Sequence, residues 1–220
     1  SWSRILDILT WGLPTGLKLA PGIAHEILPA EYHAQWLAVG NQLVEASLWG
    51  TTLAPEGPGR SAAILVGGRF HSLQDPNITR ADAPVSTAPV GALDQYLYEP
   101  GPSVIRAGLV GALAEKTGTH LLHPKIAYLS GPNRVDTVFA SGFEVIDDVP
   151  LRVKQIRQRL TELGAGPIEV KKRGVQIDTA ALQTGLQRPD GEPLVVIATR
   201  LGERHRAIIA RRLSTAKETQ

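Results

Sequence analysis

Val153, Ile156, Leu160 and Leu163 fall within about an 80° arc at 100° per residue, and no other stretch restricts the fold of this chain as much. Residues 151–163 are therefore predicted to form a helix with one buried face, flanked by Arg152 and Arg159 on one side and by Arg157 on the other. Phe143-Glu144-Val145-Ile146 reads as a strand leading into it. After the helix, Ile168 and Val170 alternate with Glu169, Lys171 and Arg173, the pattern of a strand with one apolar face, and Gly174 stops that strand. Asp178 is a good N-cap for a short helix over Thr179–Gln187, ended by Pro189-Asp190-Gly191. Leu194–Leu201 and Arg206–Arg212 read as two strands around Gly202-Glu203-Arg204-His205. The order β-α-β-α-β-β folds as a two-layer α/β sandwich.

Residues 1–72 read as strands with tight turns. Gly16–Ala20 is a short run stopped by Pro21-Gly22. Tyr32–Val39 and Leu43–Trp49 make a hairpin around Gly40-Asn41-Gln42. Ser61–Val66 turns at Gly67-Gly68 into Arg69-Phe70-His71-Ser72. Such strands with one short helix do not close a domain, so they are expected to belong to a larger sheet. Residues 73–95, rich in proline and small residues without period, read as a linker. Residues 96–150 are expected to hold a helix over Ser103–Thr117, capped at Gly118, a strand over Lys125–Leu129, and the strand at Phe143, with Asp147-Asp148 as its solvated end. A basic α/β domain over 151–213 and a tail over 214–220 complete the expected division.

Composition bounds the function. With 43% hydrophobic and 20% charged residues the chain can bury an ordinary core. It has no apolar run long enough to span a bilayer, so no membrane partner is expected. Zero cysteines exclude disulfides and thiolate chemistry. The start, Ser1-Trp2-Ser3-Arg4, carries no apolar signal region, which makes a cytoplasmic location the expectation. The chain also lacks methionine throughout, so it reads as a piece of a longer protein. Charge is unevenly placed. Residues 1–150 carry 9 Lys+Arg against 14 Asp+Glu, a net −5, whereas residues 151–220 carry 14 against 7, a net +7. A basic segment of this kind points to an anionic partner. A solvated surface with no partner is the plain alternative, because net charge speaks to non-specific binding and not to fold.

Motifs for catalysis are absent from the sequence. Gly164-Ala165-Gly166 leads into a strand, whereas a dinucleotide loop leaves a strand and opens a helix, so it is a connector. His120 and His123 are three apart without a carboxylate or cysteine framework, and His25, His33, His71 and His205 are isolated; all are expected to be structural, with no metal site. No cofactor-binding residue can be named in this chain, and the catalytic residues are unknown. The cations remain: Lys171, Lys172, Arg173, Arg204, Arg206, Arg211 and Arg212 are the candidate RNA-binding residues, since phosphates are held by such charges without sequence readout. Residues 151–220 contain no Phe, Tyr or Trp, which argues against single-strand readers that stack bases and for recognition of RNA shape or backbone. Nothing indicates DNA.

Tyr96-Leu97-Tyr98-Glu99-Pro100, Ile105–Val110, Ile126–Leu129, Phe143-Glu144-Val145 and Ile168-Glu169-Val170-Lys171-Lys172-Arg173-Gly174 together resemble, in order, the class I S-adenosylmethionine-dependent methyltransferase-like proteins that end in a THUMP-like domain. Leu19–Ile23 and Leu43–Trp49 resemble the end of that family's methyltransferase domain. The resemblance implies an α/β (α+β) chain. Residues 1–72 would be the end of a Rossmann-like methyltransferase sheet with its β-hairpin, truncated at the start. Residues 96–150 would be a ferredoxin-like segment, and 151–213 a THUMP-like domain that docks tRNA or rRNA. S-adenosylmethionine is implied for the full-length protein, but the family's glycine-rich cofactor loop and Asp-Pro-Ala-Arg segment do not occur here, so no catalytic or cofactor residue carries over. Three functions stay open. The chain is the C-terminal part of an RNA methyltransferase, or an RNA- or ribosome-binding protein with a degenerate methyltransferase half. Otherwise its basic module is a structural brace or dimer contact whose arginines face the acidic residues 1–150.

Overall fold

The computed structural model describes residues 2–214; Ser1 and residues 215–220, hence nearly all of the expected tail, lie outside the described residues. The fold is α+β, with two sheets in two compact units. One unit takes residues up to Ala88 together with Gly101–Leu113, the other Pro89–Pro100 together with the chain from Ala114.

The first unit begins with α1 (Trp2–Leu9) and builds a five-stranded sheet from β1 (Gly16–Leu19), β2 (His33–Val39), β3 (Gln42–Trp49), β4 (Gly59–Val66) and β5 (Arg69–Gln74), in the order β1-β3-β2-β4-β5. Only β2 and β4 run parallel; the two hairpins at Gly40 and Gly67-Gly68 make their partners antiparallel. Trp36, Ala38, Leu48 and Ala62 form the buried centre, and the Trp36 indole donates to the Pro21 carbonyl at 3.1 Å. Residues 75–88 have no periodicity, yet they are not loose. Ala81 is fully buried, and the Arg60 guanidinium donates to the carbonyls of Ala81, Ala83 and Pro84 at 2.6–2.9 Å and of Ala107 at 2.8 Å. An extended strap held by its carbonyls leaves no trace in side-chain periodicity.

The helix expected over Ser103–Thr117 is two, α2 (Pro102–Arg106) and α3 (Val110–Thr117). Gly108 ends the first at φ 69°. Its N–H donates to Ile105 and that of Leu109 to Val104, the paired bonds of a Schellman cap. The apolar stripe runs through both helices, so its spacing could not show the break. Thr119 and Gly118 close α3 in the same way, on Ala114 and Glu115.

The second unit holds β6 (Tyr96–Pro100), β7 (His120–His123), β8 (Ile126–Gly131), β9 (Ala140–Pro150), α4 (Val153–Glu162), β10 (Ala165–Lys172), α5 (Thr179–Leu186), β11 (Glu192–Leu201) and β12 (Arg204–Arg212). They form one seven-stranded sheet, β10-β11-β12-β9-β6-β8-β7, parallel only between β10 and β11. The expected β-α-β-α-β-β order is there as β9-α4-β10-α5-β11-β12, and strands from 96–150 continue its sheet. Alternation sends Ile168, Leu194, Val196, Ala207 and Ile209 to one face, where Ile156 and Leu160 of α4 and Leu186 of α5 cover them. Val195, Ile197, Ile208 and Ala210 line the other face with Leu97, Tyr128 and Phe143. That face is concave. β6 and β10 are four strands apart, about 19 Å on a flat sheet, yet Lys171 of β10 meets Glu99 of β6 at 2.8 Å. The coil of a twisted sheet closes the gap. Asp147 and Asp148 are corrected by the same geometry: they sit inside β9, not at its solvated end, because Arg159 and Arg206 neutralise them.

Candidate nucleic-acid interface

The seven expected cations do not make one patch. Alternation along β10 puts Lys171 on the concave face and Lys172 on the helical one, with Arg173 just past the strand end. β12 carries Arg204 and Arg206 at one end and Arg211 and Arg212 at the other, about 27 Å along the strand. Carboxylates answer five of the seven. Lys171 and Arg173 share Glu99, at 2.8 and 3.5 Å, and the Arg173 guanidinium lies over the Tyr128 ring, 5.5 Å from its centroid. Arg206 binds Asp148, Arg211 binds Glu144 and Glu192, and Arg212 binds Glu169 while covering the Phe143 ring. Arg211 holds the Glu192 carboxyl below the usual carboxylate range by direct hydrogen bonding. Burial raises the Tyr128 phenol well above its ordinary value, so it stays a neutral platform for Arg173.

Lys172 and Arg204 differ. Among the described residues Lys172 Nζ donates to the Ile177 carbonyl and meets no carboxylate, and Arg204 meets no carboxylate either. Four further cations join them: Arg152, Lys154, Arg157 and Arg188. Arg157 Nε donates to the Gly185 carbonyl at 2.7 Å, and Arg188 reaches back to the Arg157 carbonyl and the Thr161 hydroxyl. Hydrogen bonds to neutral oxygens leave the charge itself uncompensated. Clustering along the chain does not single out these four as sites, although a weaker signal exists: Arg159 has Glu162 at i+3 and pairs with it, whereas Lys154 and Arg157 have no acid at i±3 or i±4 and Arg152 has none at i+3 or i+4.

Four of the six histidines, His25, His33, His120 and His123, make structural hydrogen bonds. His33 is buried and links the Gly57 carbonyl to Ser61 Oγ, each at 2.9 Å. His25 packs edge-on against Trp36 and bonds to the Arg106 carbonyl. His120 and His123 lie on β7, where a separation of three does not bring two side chains together as it would on a helix. Turns that leave a strand and open an α-helix occur at Gly101, at Leu151-Arg152 and over 173–178, and each holds at most one glycine. None is therefore the glycine-rich turn that can lay a run of backbone amides against a nucleotide.

Residues 140–212 match the family described as THUMP domain-like. Two relatives from Mycobacterium tuberculosis, strains CDC 1551 and H37Rv, are each 33% identical over 189 residues, and both bear the name uncharacterized S-adenosylmethionine-dependent methyltransferase. A crystal structure of a candidate methyltransferase from Porphyromonas gingivalis W83 shares the fold, with a TM-score of 0.71 at 17% identity over 96% of this chain and 54% of that one. The chain thus resembles methyltransferase-like proteins, and its residues 140–212 resemble a THUMP domain. The alignment to the mycobacterial relatives takes in 84% of the chain and 50% of either relative, so the chain spans about half their length.

The THUMP-like match starts at the first residue of β9 and ends at the last of β12. Glu99 therefore lies outside the THUMP-like domain and ties it to β6. Lys171 and Glu99 are only about one-fifth exposed, which makes their ion pair worth more than a surface pair. Glu99→Gln should lower stability by about 1–3 kcal/mol, since of two charge-assisted bonds one loses its acceptor and the other its charge. Denaturant titration followed by far-UV circular dichroism measures this, and an unchanged midpoint would show that the pair is incidental.

Among the described residues no helix is long and apolar enough to cross a membrane.

Proposed function

We propose that this chain is the RNA-docking part of an S-adenosylmethionine-dependent RNA methyltransferase, and that its THUMP-like domain holds tRNA or rRNA by the phosphate backbone. The observation that carries this is the charge of that domain. Residues 140–212 hold 13 Lys+Arg against 9 Asp+Glu, a net +4, and six of those cations have no carboxylate partner among the described residues. Lys172 and Arg204 of the expected set can take phosphates directly. Lys171, Arg173, Arg206, Arg211 and Arg212 could take a phosphate only by giving up the carboxylate that each holds. Methyl transfer needs cofactor chemistry that the described residues do not supply, so it belongs to the whole protein.

Fluorescence anisotropy with labelled tRNA tests the docking half. Binding should fall steeply as salt rises, because each phosphate neutralised releases counterions; absence of binding at low salt would refute it. Transfer of labelled methyl from S-adenosylmethionine to RNA by the whole protein tests the catalytic half. RNA binding with no cofactor binding by calorimetry would leave a non-catalytic RNA- or ribosome-binding protein instead.

One observation favours a second reading, a structural brace. Lys171, Arg173, Arg206, Arg211 and Arg159 each pair with an acid that precedes residue 151, namely Glu99, Asp148, Glu144 or Asp147. On this reading Lys171 and Arg173 weld the THUMP-like domain to β6 through Glu99, the other pairs brace it from within, and the chain binds no RNA.

A further inference from the structure

We propose that RNA docks on the helical face of the THUMP-like domain, through Arg152, Lys154, Arg157, Lys172 and Arg188, and not through the carboxylate-bound Lys171 and Arg173 of the concave face. The proposal rests on the RNA-docking reading above and says where on the domain the backbone lies.

The first argument is charge. Salt-dependent affinity for a polyanion counts cations that are uncompensated before binding. Each of the five meets no carboxylate among the described residues, and three of them spend only hydrogen bonds on neutral oxygens: Arg157 on Gly185, Arg188 on Arg157 and Thr161, Lys172 on Ile177. Lys171 and Arg173 stand differently. A phosphate that took them would have to expel Glu99, leaving a freed carboxylate beside the incoming anion, and like charges brought together oppose association.

The second argument is placement. Arg152 and Lys154 sit at the start of α4, and Arg157 is within the same helix. Arg188 follows α5 and reaches across to α4. Lys172 leaves β10 on the side of Ile168 and Val170, the side that the helices cover, and is tied to the segment leading into α5. The five therefore share one layer, and Arg157 lines the groove of about 400 Å³ between α4 and α5, whose single acid is the capping Asp178. Arg204 stands at the rim, since the Leu151 N–H bonds to the His205 carbonyl beside it.

The third argument separates RNA from an acidic protein. Protein interfaces are anchored by aromatic and large apolar side chains that bury in a partner. The only large hydrophobic side chain exposed among the described residues of this domain is Val153, and the domain contains no tyrosine or tryptophan. Spaced cations without anchors suit a phosphate backbone read by position alone.

The test uses the complete chain and fluorescein-labelled tRNA, with anisotropy over a salt series. The triple variant Arg152→Ala/Lys154→Ala/Arg188→Ala should flatten the log–log salt slope by about 2–3, roughly 0.7–0.9 for each phosphate no longer neutralised. The double variant Lys171→Gln/Arg173→Gln should keep the wild-type slope, with its fold checked by circular dichroism. All three residues of the triple variant lie at the surface or bond only to neutral oxygens, so that variant is expected to fold. A slope that flattens in the double variant and not in the triple one would overturn the helical face while leaving RNA docking intact. Displacement of the RNA by polyglutamate at equal charge concentration would reassign the face to an acidic protein and overturn the proposal. Failure of the unaltered chain to bind tRNA at low salt would remove the RNA-docking reading and the proposal with it.

Discussion

Arg60→Met is expected to lower the unfolding midpoint read by tryptophan fluorescence by the equivalent of about 3–5 kcal/mol. Arg60 is 1% exposed and meets no carboxylate among the described residues. Its three nitrogens instead serve four carbonyls, those of Ala81, Ala83, Pro84 and Ala107. Methionine fills a similar volume but leaves those acceptors without donors in a dry interior, and the desolvation cost of each is then no longer offset. Burial pulls the Arg60 pKa below that of an ordinary arginine, yet a guanidinium remains charged at any pH where the protein is studied. Lysine at this position should recover only part of the loss, because a single ammonium cannot span carbonyls that the planar fork reaches on two sides. The readout is specific: all four tryptophans, at positions 2, 11, 36 and 49, belong to the unit that contains Arg60. A tryptophan transition unmoved by Arg60→Met would mean that the strap over residues 75–88 is held by its own packing.

Gly174→Ala should destabilise the other unit by about 2–5 kcal/mol. Gly174 has φ 74°, where a residue with a Cβ pays about 1–2 kcal/mol. The added Cβ would stand 2.3 Å from Ile126 Cδ1 and 2.7 Å from its Cγ1. Ile126 is buried among Leu97, Tyr128 and Phe143, so it moves only at the cost of overpacking, about 1–3 kcal/mol. Because this unit contains no tryptophan, the change should appear in far-UV circular dichroism or in amide exchange of β10 and β11, with the tryptophan transition unmoved. Two separate transitions are what two compact units allow. An alanine variant with wild-type exchange rates in β10 would show that the end of β10 is free to shift away from β8.

The same residues show how far a linear reading reaches. The helical spacing of Val153, Ile156, Leu160 and Leu163, the alternation at Ile168–Arg173 and the Asp178 cap are all legible, because each is a local pattern tied to one backbone geometry; Asp178 does accept from the Ala181 N–H. The break at Gly108 and the strap over residues 75–88 are not, since both depend on partners far away in sequence. The Lys171–Arg173 block draws attention as the most cationic run in the chain. Its counterion is Glu99, 72 residues earlier than Lys171, and no spacing rule joins them.

Local periodicity, capping chemistry and the count of charges thus belong to the chain as written: the β-α-β-α-β-β order, the two-faced strands and the surplus of cations after residue 150. Which cations keep an unanswered charge was settled by folding. Pairing of β9 and β11 with β12 brings Asp148, Glu144 and Glu192 to the basic strands, coiling of the sheet brings Glu99, and Arg152, Lys154, Arg157, Lys172 and Arg188 are left without a carboxylate partner among the described residues. A charge is a property of a residue, but its compensation is a property of distance, and distance across a coiled sheet exists only in three dimensions.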